Sequence, residues 1–176
     1  MNTPAPKPDP WLRGPVAGIP SILQPVAHAL IAAREDIDRA SADLEPDALW
    51  ARPGGVASIG FHVAHLAGST DRLLTYARGE ALSDAQRADL ARERGVDAAR
   101  PALVDLTAAL HEAVRRGLEQ VAATDESTLS QARPVGRAAS STVLGLLFHA
   151  ADHAARHAGQ IVTTAKIVRG GDAASS

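Results

Sequence analysis

The chain has 176 residues, 45% of them hydrophobic but only 3% aromatic, with a formal net charge of −2 and no cysteine. That is enough chain for one ordinary domain, with a core built mainly from Ala, Leu, Val and Ile. It excludes disulfides and thiolate metal ligands, and it lacks the basic excess that marks a nucleic-acid binder.

No apolar run approaches the roughly 20 residues that a membrane span needs. The opening "MNTPAPKPDP" is polar and Pro-rich, without the hydrophobic centre of a secretory leader. The expectation is therefore a cytoplasmic chain with neither nucleic acid nor membrane as partner. Residues 1–18 read as an irregular arm that could pack through Trp11 and Leu12.

A bundle region is expected over 19–169. In "SILQPVAHALIAAREDIDRA", Ile22, Val26, Leu30, Ala33 and Ile37 recur at helical period. Ser21 serves as the expected cap, and Pro25 falls in the first turn, where its missing N–H costs little. "EPDALWARPGG" is a connection. "SIGFHVAHLAGSTDRLLTYARG" reads as a second long helix, capped by Ser58 and stopped at Gly79. Gly60 and Gly68 inside it each cost up to about 1 kcal/mol relative to Ala, which points to close packing against another element.

"LSDAQRADLARERG" is a short polar helix. "RPALVDLTAALHEAVRRGLEQVAAT" is a third long helix with Leu103, Leu106, Leu110, Val114, Leu118 and Val121 on its apolar face. "DESTLSQARPVGRAA" reads as a loop, since no strand alternation is present. "SSTVLGLLFHAADHAARHAGQIVTTAKIVRG" is the fourth long helix, ended by "GG", and 170–176 form a tail expected to be flexible. Four long helices with short or medium links predict an all-α, four-helix bundle. Ala-rich helices with exposed Leu and Val could also form a homodimer.

Of the seven histidines, His149, His153 and His157 stand four apart on the last helix. Side chains at that spacing are neighbours, with Cβ atoms about 5–6 Å apart. A further ligand from "FHVAHLAGSTD" would be His62 or His65, and spacing alone leaves that choice open. Histidines spaced in this way are also common as surface groups or hydrogen-bonded core groups. The flanking Phe148, Ile161 and interspersed alanines, however, set the stripe near the core, where each unsatisfied polar group costs roughly 1–3 kcal/mol. A shared metal removes that cost. His28 and His111 stand apart.

"GFHVAHLAGSTDRLL" together with "LGLLFHAADHAARHAGQI" resembles the DinB-like (DinB/YfiT) four-helix-bundle superfamily, over about Ile19 to Val168. The long His motif with its terminal "GQ" is the more specific part. The resemblance implies a divalent-metal site between the second and fourth long helices, with His65, His153 and His157 as ligands and zinc or nickel as the metal. His149 then becomes an outer or pocket residue, and His62 a mouth residue or an exposed one, with exposure favoured. Gln160 is the favoured acceptor for a ligand imidazole, with Asp71 and Asp152 as further candidates. Ala158 stands where many members carry Arg, which removes one expected contact to a substrate anion.

The activity implied is that of a stress or detoxification enzyme acting on a small-molecule substrate. The first expectation is an S-transferase using a low-molecular-weight thiol such as bacillithiol. The others are a hydrolase acting through metal-activated water and a non-catalytic metal-binding stress protein. A cationic mouth formed by Arg133 or Arg137 would favour the thiol reading.

Overall fold

A computed structural model describes residues 7–137 and 139–173. Residues 1–6 of the expected arm and 174–176 of the expected tail lie outside the described residues. Seven helices follow in order: α1 (Gln24–Ser41), α2 (Pro46–Trp50), α3 (Ile59–Ala77), α4 (Asp84–Glu93), α5 (Val96–Ala99), α6 (Leu103–Ala123) and α7 (Val143–Ala173). Strands β1 (Ala132–Val135) and β2 (Ala139–Thr142) form an antiparallel hairpin ahead of α7, pairing Ala132 with Thr142 and Val135 with Ala139.

α1, α3, α6 and α7 form the bundle, each packing on two others in the ring α1–α7–α3–α6. Their directions follow from cross-helix contacts. His62 and His65 on α3 meet His157 and His153 on α7, so these two helices run antiparallel. Asp71 and Leu74 on α3 meet Arg116 and Gln120 on α6, so these two run parallel. Asp38 and Leu30 on α1 lie beside His111 and Gly117 on α6, an antiparallel pairing. The ring closes with α1 parallel to α7, where the Arg169 guanidinium donates to the Ala42 carbonyl. The bundle is therefore up-down-down-up. Residues 78–102, with α4 and α5, must return the chain from one end of α3 to its other end before α6 begins.

The apolar stripes meet as their periods require. Leu23, Leu30, Ile37, Ile59, Val63, Leu110, Val121, Leu147 and Ile161 are all fully buried. α3 starts as expected, with Ser58 Oγ accepting from Phe61 N–H at 3.0 Å. It stops before Gly79, whose φ of +81° suits glycine. A Cβ on Gly60 would come within 2.5 Å of the Trp50 ring, so the close packing expected from that glycine is real.

Four expectations change. Residues Ser21–Leu23 form a 3-10 turn, so Ser21 does not cap α1. The tighter turn also rotates Leu23 into the core and leaves Ile22 about half exposed. Trp11 and Leu12 point to solvent. The arm is tied down instead by buried Pro10, by Arg13 donating twice to Glu35 (2.7 and 2.6 Å), and by the Gln24 amide bonding Val16 and Ile19 backbone. The segment expected to be a loop carries the β1–β2 hairpin, whose strands "ARPV" and "ASST" lack the apolar alternation that would have signalled them. α7 also continues through Gly170 and Gly171 to Ala173.

Candidate metal centre

α3 and α7 face each other antiparallel, so two histidines on each meet in rungs. His65 Nε2 and His153 Nε2 lie 3.0 Å apart, and His62 Nδ1 and His157 Nδ1 lie 2.9 Å apart. The His153 and His157 ring centroids are 4.4 Å apart, as neighbours one turn apart must be. Ligand atoms of His65, His153 and His157 all fall within 4.8 Å of one another, and all three residues are partly buried. These three could hold a metal ion. His28 and His111 sit elsewhere, on Gly14 O (3.1 Å) and Asp38 (2.7 Å).

The donor chemistry fits such an ion. His65 Nδ1 donates to Glu93 Oε1, which leaves the Nε2 lone pair as the free donor atom. Against it stands His153 Nε2, so in the metal-free protein a single proton occupies the gap between two nitrogens. A divalent cation in that gap would take both lone pairs, with the His153 ring keeping its one proton on Nδ1 instead. The 3.0 Å between these nitrogens is a hydrogen-bond distance, and the ligand atoms of all three histidines lie within 4.8 Å of one another.

Burial supports the same state. It pushes His153 down to about 4, helped by the nearby His65 and His149. It pushes His157 down to about 3, helped by His153, His65 and His62. Both rings are neutral at physiological pH, as metal-ligating imidazoles must be.

The surroundings differ from expectation in ways that follow from helix geometry. His62 is buried, at 7% exposure. It lies on the α7-facing side of α3, and burial followed by the proximity of His65 lowers its pKa. Gln160 is exposed on α7 and makes no hydrogen bond to the histidines among the described residues. His149 is exposed as well, its ring centroid 5.7 Å from that of His153. Asp152 is engaged by Arg156. Asp71 faces away from the centre, accepting from Gln86 at 2.6 Å and pairing with Arg116 at 3.3 Å.

The acceptor that sequence reasoning missed is Glu93, at the end of α4. Burial works against its charge, but the bonds from His65 and Arg72 outweigh that, and the carboxyl sits below its ordinary pKa. Arg72 Nη2 donates to its second oxygen at 3.0 Å. Gly68 makes room for this pair, since a Cβ there would lie 2.7 Å from Arg72 Nη1. The Phe61 ring stacks on His65 at 5.7 Å and 5°.

Arg133 and Arg137 do not form the mouth. Arg133 Nε donates to Ala77 O at 3.2 Å. At 1.5 Å per residue, Ala77 is about 18 Å along α3 from His65. Arg137 belongs to the turn of the same distant hairpin.

The family model of the DinB superfamily matches residues 8–161. The chain belongs to the DinB superfamily. Membership and the histidine cluster together support a metal-binding protein. The match runs from the tied-down arm through the last candidate ligand and ends within α7. A search of curated proteins returns no match.

Proposed function

We propose that this DinB-superfamily chain is a metal-dependent enzyme of stress or detoxification that transfers a low-molecular-weight thiol of the bacillithiol type onto an electrophile. The observation that carries the reading is the all-imidazole donor set, His65, His153 and His157, gathered and partly buried between α3 and α7. Three neutral ligands leave a divalent ion its full charge and at least one open position. Zinc and nickel both suit imidazole. When bound, the ion supplies Lewis acidity that favours a thiolate over a thiol near neutral pH.

The protein's own groups do the positioning. Glu93 holds His65 in one tautomer, and His62 holds the ring of His157 from the other side. Phe61 stacks on His65 and adds an apolar face beside it. In the transfer, the thiol gives its proton to solvent and its sulfur forms the new bond to the electrophilic carbon. The leaving group departs with the electron pair of the bond that breaks.

The test uses protein purified without an affinity tag. Bacillithiol, mycothiol, glutathione and no thiol are each offered with a panel of electrophiles and esters. Metal-loaded protein is expected to conjugate a thiol faster than metal-free protein, and His153→Ala is expected to lose both metal and rate. Metal-dependent ester hydrolysis without thiol would replace this reading with the water-activating one. Bound metal with no turnover across the panel would favour a non-catalytic metal-binding role.

A further inference from the structure

Beside the histidine cluster, a cleft of about 600 Å³ lies between α3, α6 and the α4–α5 crossover. Its origin is visible in the sequence. α3 and α6 present short side chains where they face each other, among them Ala67, Ala109 and Ala113. The crossover arches over them, but α4 contributes no buried side chain. Val96 of α5 is the buried apolar residue that the crossover sets against the space. The result is an apolar floor and roof of a size within the usual range for small-ligand sites, about 300–1,000 Å³.

The rim decides which ligand fits. It carries five carboxylates, of Asp71, Asp89, Glu93, Asp105 and Glu112, against three guanidiniums, of Arg72, Arg92 and Arg116, and Arg115 beside it holds Glu112 at 2.6 Å, which leaves one negative charge in excess. Each arginine is already engaged: Arg72 with Glu93 at 3.0 Å, Arg92 with Asp89, and Arg116 with Asp71 at 3.3 Å. An anionic ligand would have to break one of these pairs. A cation needs to break none, and the carboxylate of Asp105 makes no ion pair among the described residues.

We propose that this cleft is a second binding site, which takes a small organic cation with an apolar body, such as an alkyl or aryl amine. The site stands independently of the thiol-transfer reading. Glu93 forms the boundary between the two sites, with one oxygen on His65 and the other on Arg72 in the cleft wall.

The experiment titrates metal-free protein with octylamine, octanol and octanoate, chain-matched probes that differ in charge, and follows backbone amide shifts by NMR. Octylamine is expected to shift amides around Ala67, Val96, Ala109 and Ala113. It is expected to bind roughly tenfold or more tightly than octanol, with octanoate weakest, as charge pairing near a protein surface implies. Ala109→Phe fills the cleft from an exposed α6 position and should abolish octylamine binding while leaving metal stoichiometry unchanged. Asp105→Asn keeps the space and should erase the preference for amine over alcohol. Octanoate binding as tightly as octylamine, unaltered octylamine binding in Ala109→Phe, shifts confined to other helices, or no binding of octylamine would each overturn the proposal.

Discussion

Removing the Glu93 side chain tests whether the centre depends on the crossover as well as on its three histidines. In Glu93→Ala, His65 loses the acceptor for Nδ1–H and becomes free to present either nitrogen. Loss of such an outer partner typically weakens metal binding 10–100-fold, or about 1.4–2.7 kcal/mol. A second cost falls on the fold. Arg72 is 11% exposed and Glu93 12%, so deleting the carboxylate leaves a largely buried guanidinium without its partner. Fully buried pairs cost about 3–5 kcal/mol when broken in this way. The adjoining cleft gives Arg72 some access to water, and about 1–3 kcal/mol is the expected loss of stability. Glu93→Gln keeps an acceptor oxygen and the shape but not the charge, so its affinity loss should sit at the lower end, about tenfold. Competition against a chromophoric chelator measures affinity, and chemical denaturation of the metal-free proteins measures stability. Wild-type metal affinity in Glu93→Ala would refute the reasoning, because a centre indifferent to the His65 tautomer does not use that bond.

Three further outcomes follow from the packing and the histidine environment. Leu147→Ala, at a fully buried α7 position, should destabilise the protein by about 2–5 kcal/mol in denaturant titration. Gly60→Ala gains up to about 1 kcal/mol of helix propensity, but it drives a methyl group into the Trp50 ring. A net loss of about 1–3 kcal/mol is expected from such overpacking, with a red shift of the Trp50 emission as its optical signature. Metal-free protein should lose stability on acidification between about pH 6.5 and pH 4. In that window the unfolded chain protonates His153 and His157 while the folded protein resists, because their folded pKa values lie at about 4 and about 3 against an ordinary 6.5. The stability contribution is complete above 6.5 and declines below it. Thermal melts across that range check the sign, and a melting temperature that rises on acidification would contradict it.

What could be read in one dimension was whatever repeats along a single helix. The spacing of Val26, Leu30, Ala33 and Ile37 marks α1 because 3.6 residues per turn brings them to one side. The same arithmetic sets His149, His153 and His157 in a row on α7. The Ser58 cap and the stop at Gly79 are likewise local, resting on one hydrogen bond and one positive φ. The hairpin escaped because β1 and β2 are too short and too polar to alternate. Ile22 was misplaced because a 3-10 turn breaks the period that predicted it.

Tertiary structure alone set which histidines meet. His62 and His65 are three residues apart and chemically equivalent in sequence. The antiparallel docking of α3 on α7 buries His62 against His157 and brings the His65 Nε2 to His153. Gln160 and His149 share the right helix but are turned toward solvent. Glu93 carried no local signal at all. It lies 28 residues beyond His65, on a helix with no buried side chain, and reaches the imidazole only because an up-down-down-up bundle must send its chain back along α3 before α6 can start. Helix periodicity acts through neighbours in the chain, whereas a metal centre is assembled from groups that only the crossing of distant segments brings within hydrogen-bond distance.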